Sequence, residues 1–284
     1  MPRMKICPGT LYILQADAIM KNNTGGEGGG RMMKLLGYWV YRATCVLARL
    51  FFPRPELEGL ENIPEGPCVL VGNHCQMHSP VLCELYLPFD RAIWCNGEMM
   101  HLKEVPDYAY RDFWSNKPRS VRWLYRILSY LIAPISVGVF NNAHCISVYR
   151  DTRLTATFRH SVERLTEGAR VVIFPECPTP HNNIIYEFQN PFIALGHLYA
   201  RKTGQPLAFV PMYVAPELGK ICFGEPVYYD DAAKPDVERA RVCRALMDGV
   251  TQLGVALPPH RVVPYLNLPK KDRPLNRPEG DAAP

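Results

Sequence analysis

With 284 residues, 48% of them hydrophobic and 21% charged, the chain has an ordinary globular composition and can bury one large core. Its formal net charge of +5 is too mild to argue for a nucleic-acid partner, and no stretch interleaves lysines with aromatics. Ten cysteines without a CxxC pair exclude a zinc ribbon and a disulfide framework, and they point to a reducing, cytosolic compartment.

Residues 1–31 contain "KNNTGGEGGG" and are expected to form a flexible extension; no signal-peptide cleavage pattern is present. Residues 32–53 predict an amphipathic helix with Leu35, Trp39, Ala43, Val46, Leu47 and Leu50 on one face and Arg42 and Arg49 opposite. No acidic residue occurs between Glu27 and Glu56. An apolar stripe beside a basic face fits a helix lying in an anionic membrane surface; docking on the protein's own core explains the same pattern. A second apolar segment, "VRWLYRILSYLIAPISVGVF", carries Arg122 and Arg126 and is expected to be cut at Pro134. It reads as a buried or interfacial helix rather than a bilayer span.

Residues 54–265 then alternate strand and helix. "CVLVGN", "CISVYR", "RVVIFP" and "LAFVPMYV" are short apolar runs of the kind that form buried strands. Leu154, Phe158, Val162 and Leu165 mark a helix between the second and third runs, with Gly168 at its C-terminal cap. This strand, helix, strand unit predicts two parallel neighbours. The fold class is α/β, with a mixed, largely parallel central sheet covered by helices. Residues 266–284, rich in proline and polar groups, are expected to form a flexible tail.

Ligands in open sheets of this class collect at the carboxyl ends of the strands. Three stretches should meet there: "NHCQMHS" at 73–79, "ISVYRD" at 146–151 and "VVIFPECPT" at 171–179. An unperturbed imidazole titrates near neutrality, so His74 can accept and return a proton. His74 and His78 also have HxxxH spacing, but no third metal ligand accompanies them and no metal is expected. Cys75 and Cys177 stand beside the proposed acid–base groups and read as small apolar residues near strand ends. His144 and His181 read as polar rim.

Together with "FVPMYV" at 209–214, these blocks resemble, in order, the motifs of the glycerolipid acyltransferases, the family of lysophosphatidic acid and glycerol phosphate acyltransferases. The resemblance covers roughly residues 55–230 and includes the lead-in "LEGLENIPEGPCVLVGNH" and the "FGEPV" at 223–227. It implies that His74 is the general base of an NHxxxxD block, that Arg150 grips an acceptor phosphate with help from Arg153, and that Phe174, Pro175 and Glu176 retain the "FPE" of an FPEGTR block. Asn73 and Thr179 complete the implied substrate contacts.

Three departures stand out. The aspartate position holds Ser79, which supplies a hydroxyl but no charge; in a serine-protease triad the corresponding loss lowers turnover about ten-thousandfold. Cys177, Pro178 and Thr179 replace GTR and remove a second arginine. Glu176 is the natural substitute carboxylate, as imidazole partner or acceptor anchor, with Glu84 a weaker one. The segment "DYAYRDFW" lengthens the gap between the first two blocks and reads as an altered acceptor-binding lid.

The resemblance implies an acyltransferase moving a fatty acyl group from acyl-CoA or acyl carrier protein, as co-substrate, to a hydroxyl of a lysophospholipid or glycerolipid-like acceptor. Such an enzyme needs no other cofactor and would sit peripherally on the cytoplasmic face of the cell membrane. The alternatives are an acyltransferase-fold protein that binds lipid or acyl carrier without turnover, and a hydrolase using water as acceptor, for which no GxSxG elbow is present.

Overall fold

The computed structural model describes residues 28–115, 117–149 and 151–277. The chain enters on helix α1 (Gly28–Phe51), passes through the short strand β1 (Glu56–Glu58) and reaches β2 (Cys68–Gly72), which ends directly before His74. Helix α2 (His78–Tyr86) returns it to β3 (Arg91–Asn96). A short helix, α3 (Val105–Ala109), then runs into a π-helical turn over Tyr110–Trp114, followed by α4 (Arg122–Phe140) and β4 (Cys145–Val148). Helix α5 (Leu154–Thr166) leads to β5 (Arg170–Ile173) and to a hairpin of β6 (Glu176–Pro180) and β7 (Tyr186–Phe188). Helix α6 (Ala194–Thr203), strands β8 (Ala208–Ala215), β9 (Lys220–Phe223) and β10 (Val227–Tyr228), and helix α7 (Pro235–Ala256) complete the fold.

The main sheet runs β1-β9-β8-β2-β5-β3-β4, with β10 also paired to β8. Strands β8, β2, β5, β3 and β4 are mutually parallel, whereas β9 and β10 run antiparallel to β8. The fold is therefore α/β with a mixed, largely parallel sheet. Buried on both faces, its central strands are continuous apolar runs, as such strands must be. Val69, Val71, Val171, Ile173, Phe209 and Tyr213 point to a core shared with α5, α6 and α7. Their neighbours Cys68, Leu70, Val172, Val210, Met212 and Val214 point to a second core containing Leu82 and Cys83 of α2. This alternation is the two-residue period of the strand.

One sequence expectation about the order of strands fails. Strands β4 and β5 are parallel but not neighbours, because β3 lies between them, pairing Ile93 with Cys145 on one side and Ala92 with Val171 on the other. The segment "RAIWCN" was not expected as a strand: its polar ends, Arg91 and Asn96, hide the buried Ala92 and Ile93 between them.

The two apolar helices lie at the surface, and the break expected at Pro134 is not found. Helix α4 is continuous through Pro134, since Ser129, Ala133 and Ser136 are buried against the protein and hold both halves in line, with Ser136 Oγ donating to the Met99 carbonyl at 2.9 Å. It is not a buried helix: Trp123, Ile127, Tyr130, Leu131 and Ile135 are exposed. By length and composition it is the one described helix able to cross a bilayer. Helix α1 packs on it where Gly37 and Gly138 face each other, and leaves Trp39, Val46, Leu47, Leu50 and Phe51 outside. The apolar stripe of α1 is thus turned away from the core.

Within the tail expected from residue 266 onward, residues 266–272 are exposed but the chain packs again at Asn276 and Arg277. Asn276 and Arg277 are buried, and the Asn276 amide donates to the Gly254 carbonyl at 2.9 Å while Arg277 Nε donates to Val255 at 2.7 Å. Side-chain hydrogen bonds to the end of α7, not apolar burial, hold this segment, so composition concealed it.

Candidate active site

Strand β2 approaches β8 so closely that a Cβ on Gly72 would lie 2.5 Å from the Met212 carbonyl oxygen. Only glycine fits there, and the chain turns immediately afterwards. Asn73 extends the ladder with its side chain: Oδ1 accepts the Val214 N–H at 2.8 Å and Nδ2 donates to the Val214 carbonyl at 3.0 Å. With 1% of its surface exposed, Asn73 serves the scaffold through these bonds. The next residues form a strained turn, with Cys75 and Gln76 both left-handed at φ 46° and 56°. For non-glycine residues this costs about 1–2 kcal/mol each, so the turn must be held from outside.

Glu176 supplies the hold. It follows β5, the parallel neighbour of β2, and its buried carboxylate accepts the backbone N–H of His74 at 2.6 Å on Oε2 and that of Tyr186 at 2.8 Å on Oε1. Both oxygens thus meet backbone amides, one on each side of the site. Burial pushes the Glu176 carboxyl up to about 7, against the pull of these two N–H donors.

The His74 ring meets Phe174 and Tyr265, edge to face, at centroid distances of 5.6 and 5.9 Å. Burial lowers the imidazole pKa below 6.5; a hydrogen bond to the Gln76 backbone and the charge of Asp112, in the turn after α3, act in the opposite direction. Burial thus favours the neutral ring, the state a proton acceptor requires. Among the described residues, no hydrogen bond joins a carboxylate to this ring.

The remaining expected residues fall in different places. Ser79 is fully buried in the first turn of α2, its Oγ without a hydrogen-bond partner among the described residues. Pro175 is buried, its carbonyl accepting the Gln189 N–H at 2.9 Å, and Thr179 is exposed on the β6–β7 hairpin. Arg153 is bound within its own surface: it pairs with Asp151 at 2.9 Å and Glu104 at 3.2 Å and lies 3.7 Å over the Tyr149 ring. Arg150 lies outside the described residues.

Glu84 belongs to another cluster. It accepts from Tyr41 Oη at 2.5 Å and from His144 Nδ1 at 2.9 Å, with Arg91 at 3.5 Å. His144 precedes β4, so it sits at the amino ends of the parallel strands rather than on the rim of the site. His78 also diverges from His74, packing against Phe52 at 5.4 Å with its Nδ1 3.2 Å from the Cys75 carbonyl. Among the described residues, no group of three His, Cys, Asp or Glu side chains is arranged to hold a metal ion. Burial pushes the Cys75 thiol up, away from a reactive thiolate.

The segment expected as a lid is α3 and its π-helical turn. It is tied to α4 by Arg126, which pairs with Asp107 at 2.6 Å and lies 5.3 Å over the Tyr110 ring. Sequence reasoning missed Tyr265. Its only signal was an aromatic residue between two prolines in "HRVVPYLNLP", at the very end of the expected domain.

No protein-family model and no curated protein matches the chain. Among solved structures, it is similar to the 1-acyl-sn-glycerophosphate (LPA) acyltransferase PlsC from Thermotoga maritima, at 18% sequence identity and a TM-score of 0.45, over 88% of this chain and 93% of that one.

Proposed function

We propose that the chain is an acyltransferase in which His74 removes a proton from an acceptor hydroxyl as that oxygen attacks an acyl thioester. The observation that carries this reading is the meeting of "NH" and "FPE", about a hundred residues apart, through the Glu176 hydrogen bond to the His74 backbone. That bond holds the His74 backbone at the carboxyl end of a central strand. The donor is acyl-CoA or acyl carrier protein, and the acceptor a lysophospholipid or related glycerolipid. As the attacking oxygen forms the new ester, the thiol leaves and takes up the proton that His74 carries.

The exposed outer faces of α1 and α4 support membrane attachment. Trp39 and Trp123, 65% and 66% exposed, lie on them beside the exposed Arg42, Arg49, Arg122 and Arg126. Apolar side chains flanked by guanidinium groups suit the boundary between acyl chains and anionic headgroups. The arginines in the first turns of α4 and its buried inner face favour lying in the surface over crossing it. Replacing Leu47 and Leu50 with Asp is expected to abolish cosedimentation with anionic liposomes; undiminished binding would contradict attachment.

A second reading, a fold that binds lipid or acyl carrier without turnover, is favoured by the imidazole's lack of a carboxylate partner among the described residues. Purified protein incubated with acyl-CoA or acyl carrier protein thioesters and a panel of lysolipids separates the two. Transfer that is lost in His74→Ala supports the enzyme. Ligand binding without transfer in the wild type supports the second reading, and transfer unchanged by the substitution removes His74 as the base.

A further inference from the structure

A general base must have its ring nitrogen aimed at the proton it takes, yet the terminal torsion of a histidine is broad and nearly two-fold. In a Ser-His-Asp triad a carboxylate fixes that torsion and the tautomer. The chain has Ser79 at the position where the resemblance places that carboxylate, and Glu176 spends both oxygens on backbone N–H groups. Something else must orient the imidazole.

Residues 257–277 leave α7 and fold back toward the carboxyl ends of the strands as a loop whose neck is firmly closed. Arg261 and Leu275 form an antiparallel bridge, the Val262 N–H donates to the Pro274 carbonyl at 2.9 Å, and the Asn276 N–H donates to the His260 carbonyl at 3.1 Å. His260 is anchored in turn, with Nε2 2.8 Å from Tyr213 Oη. Beyond this neck Tyr265 lies at 83° to the His74 ring, and Phe174 lies at 76° to it. Tyr265 is itself backed by Tyr186, 6.0 Å away.

The contact also closes a circuit through the strained turn. The His74 ring bonds to the Gln76 backbone, the Gln76 side chain donates to the Leu266 carbonyl at 3.4 Å, and the residue before Leu266 is Tyr265. The left-handed conformation of Gln76 lets one residue serve both ends of this circuit.

We propose that Tyr265 is a positioning residue for His74: its ring, together with that of Phe174, confines the imidazole in place of the carboxylate missing at Ser79. The proposal rests on the reading of His74 as the base. Edge-to-face packing orients the ring without the full negative charge of a carboxylate. A base confined this way is aligned before the acceptor arrives, and a small loss of alignment is costly in rate.

The test compares Tyr265→Phe and Tyr265→Ala in full-length protein by two readouts: acyl transfer, and the titration of the His74 ring followed by NMR. Tyr265→Phe keeps the ring and is expected to stay within about threefold of wild type in kcat. Tyr265→Ala is expected to lower kcat by on the order of tenfold to a hundredfold with little change in KM. It should also move the His74 titration up toward the ordinary histidine value as water reaches the ring. If the alanine variant does not fold, Tyr265→Leu, which keeps apolar bulk without the flat ring, carries the same expectations. A His74 titration unmoved by loss of the ring would overturn the proposal, and so would a phenylalanine variant as impaired as the alanine one. Wild-type protein without transfer activity would defeat the acyltransferase reading, while the titration alone would still decide the role of Tyr265.

Discussion

Two buried glutamates, one at either end of the sheet, show how surroundings divide the work of a single side chain. Burial alone would raise the Glu84 carboxyl, but the His144 hydrogen bond and the Arg91 charge outweigh it and hold the group below its usual range. Glu176 meets only backbone N–H groups, and there burial prevails, raising it to about 7. Charge neutralisation makes Glu84 a brace between α1, α2 and the starts of β3 and β4. Backbone N–H dipoles make Glu176 a clamp on the His74 turn.

Removing the brace should have the largest effect on stability. Glu84→Ala leaves Arg91 buried without its carboxylate and is expected to cost about 3–5 kcal/mol in denaturant unfolding. A loss below about 1 kcal/mol would deny it the role of brace. Glu176→Gln is milder. Its amide can accept one of the two N–H groups but presents a second donor to the other, costing about 1–3 kcal/mol and lowering acyl transfer in proportion to the disorder of the turn.

The two glutamates should also give stability opposite slopes with pH. The Glu84 contribution is present above about 4.5, the ordinary glutamate value, and is lost as pH falls. The Glu176 contribution, with its folded pKa raised, is fully present below about 4.5 and is lost as pH rises through about 7. Melting temperatures of Glu84→Gln and Glu176→Gln across pH 3 to 8, compared with wild type, should show both slopes, and slopes of the same sign would break the contrast. The smallest effect is expected from Gln76→Gly. It relieves a left-handed residue worth about 1 kcal/mol but releases the Leu266 contact, so Tm should hold or rise slightly while acyl transfer falls.

The parts of this arrangement visible in the sequence are those set by local pattern. The apolar runs of β2, β5 and β8 announce buried parallel strands, and strand ends in such sheets converge, so His74 and Glu176 were expected to meet. Their mode of contact was not legible: a carboxylate near a histidine suggests a bond to the ring, whereas this one accepts the backbone N–H, which no residue type signals. Arg153 looked like a phosphate contact because pattern reveals a charge but not that Asp151 and Glu104 already hold it. Tyr265 was hidden because its loop is closed by single hydrogen bonds between His260 and Asn276 and between Val262 and Pro274, which no residue pattern announces.

The central claim is that His74 is a neutral base at physiological pH. Its most direct test is the NMR titration of the His74 imidazole in wild-type protein set beside the pH dependence of acyl transfer. The account predicts a ring pKa below 6.5, with the acidic limb of the rate falling at that same value, because the base fails once protonated. A ring that protonates above 6.5, or a rate whose acidic limb ignores the His74 titration, would contradict it.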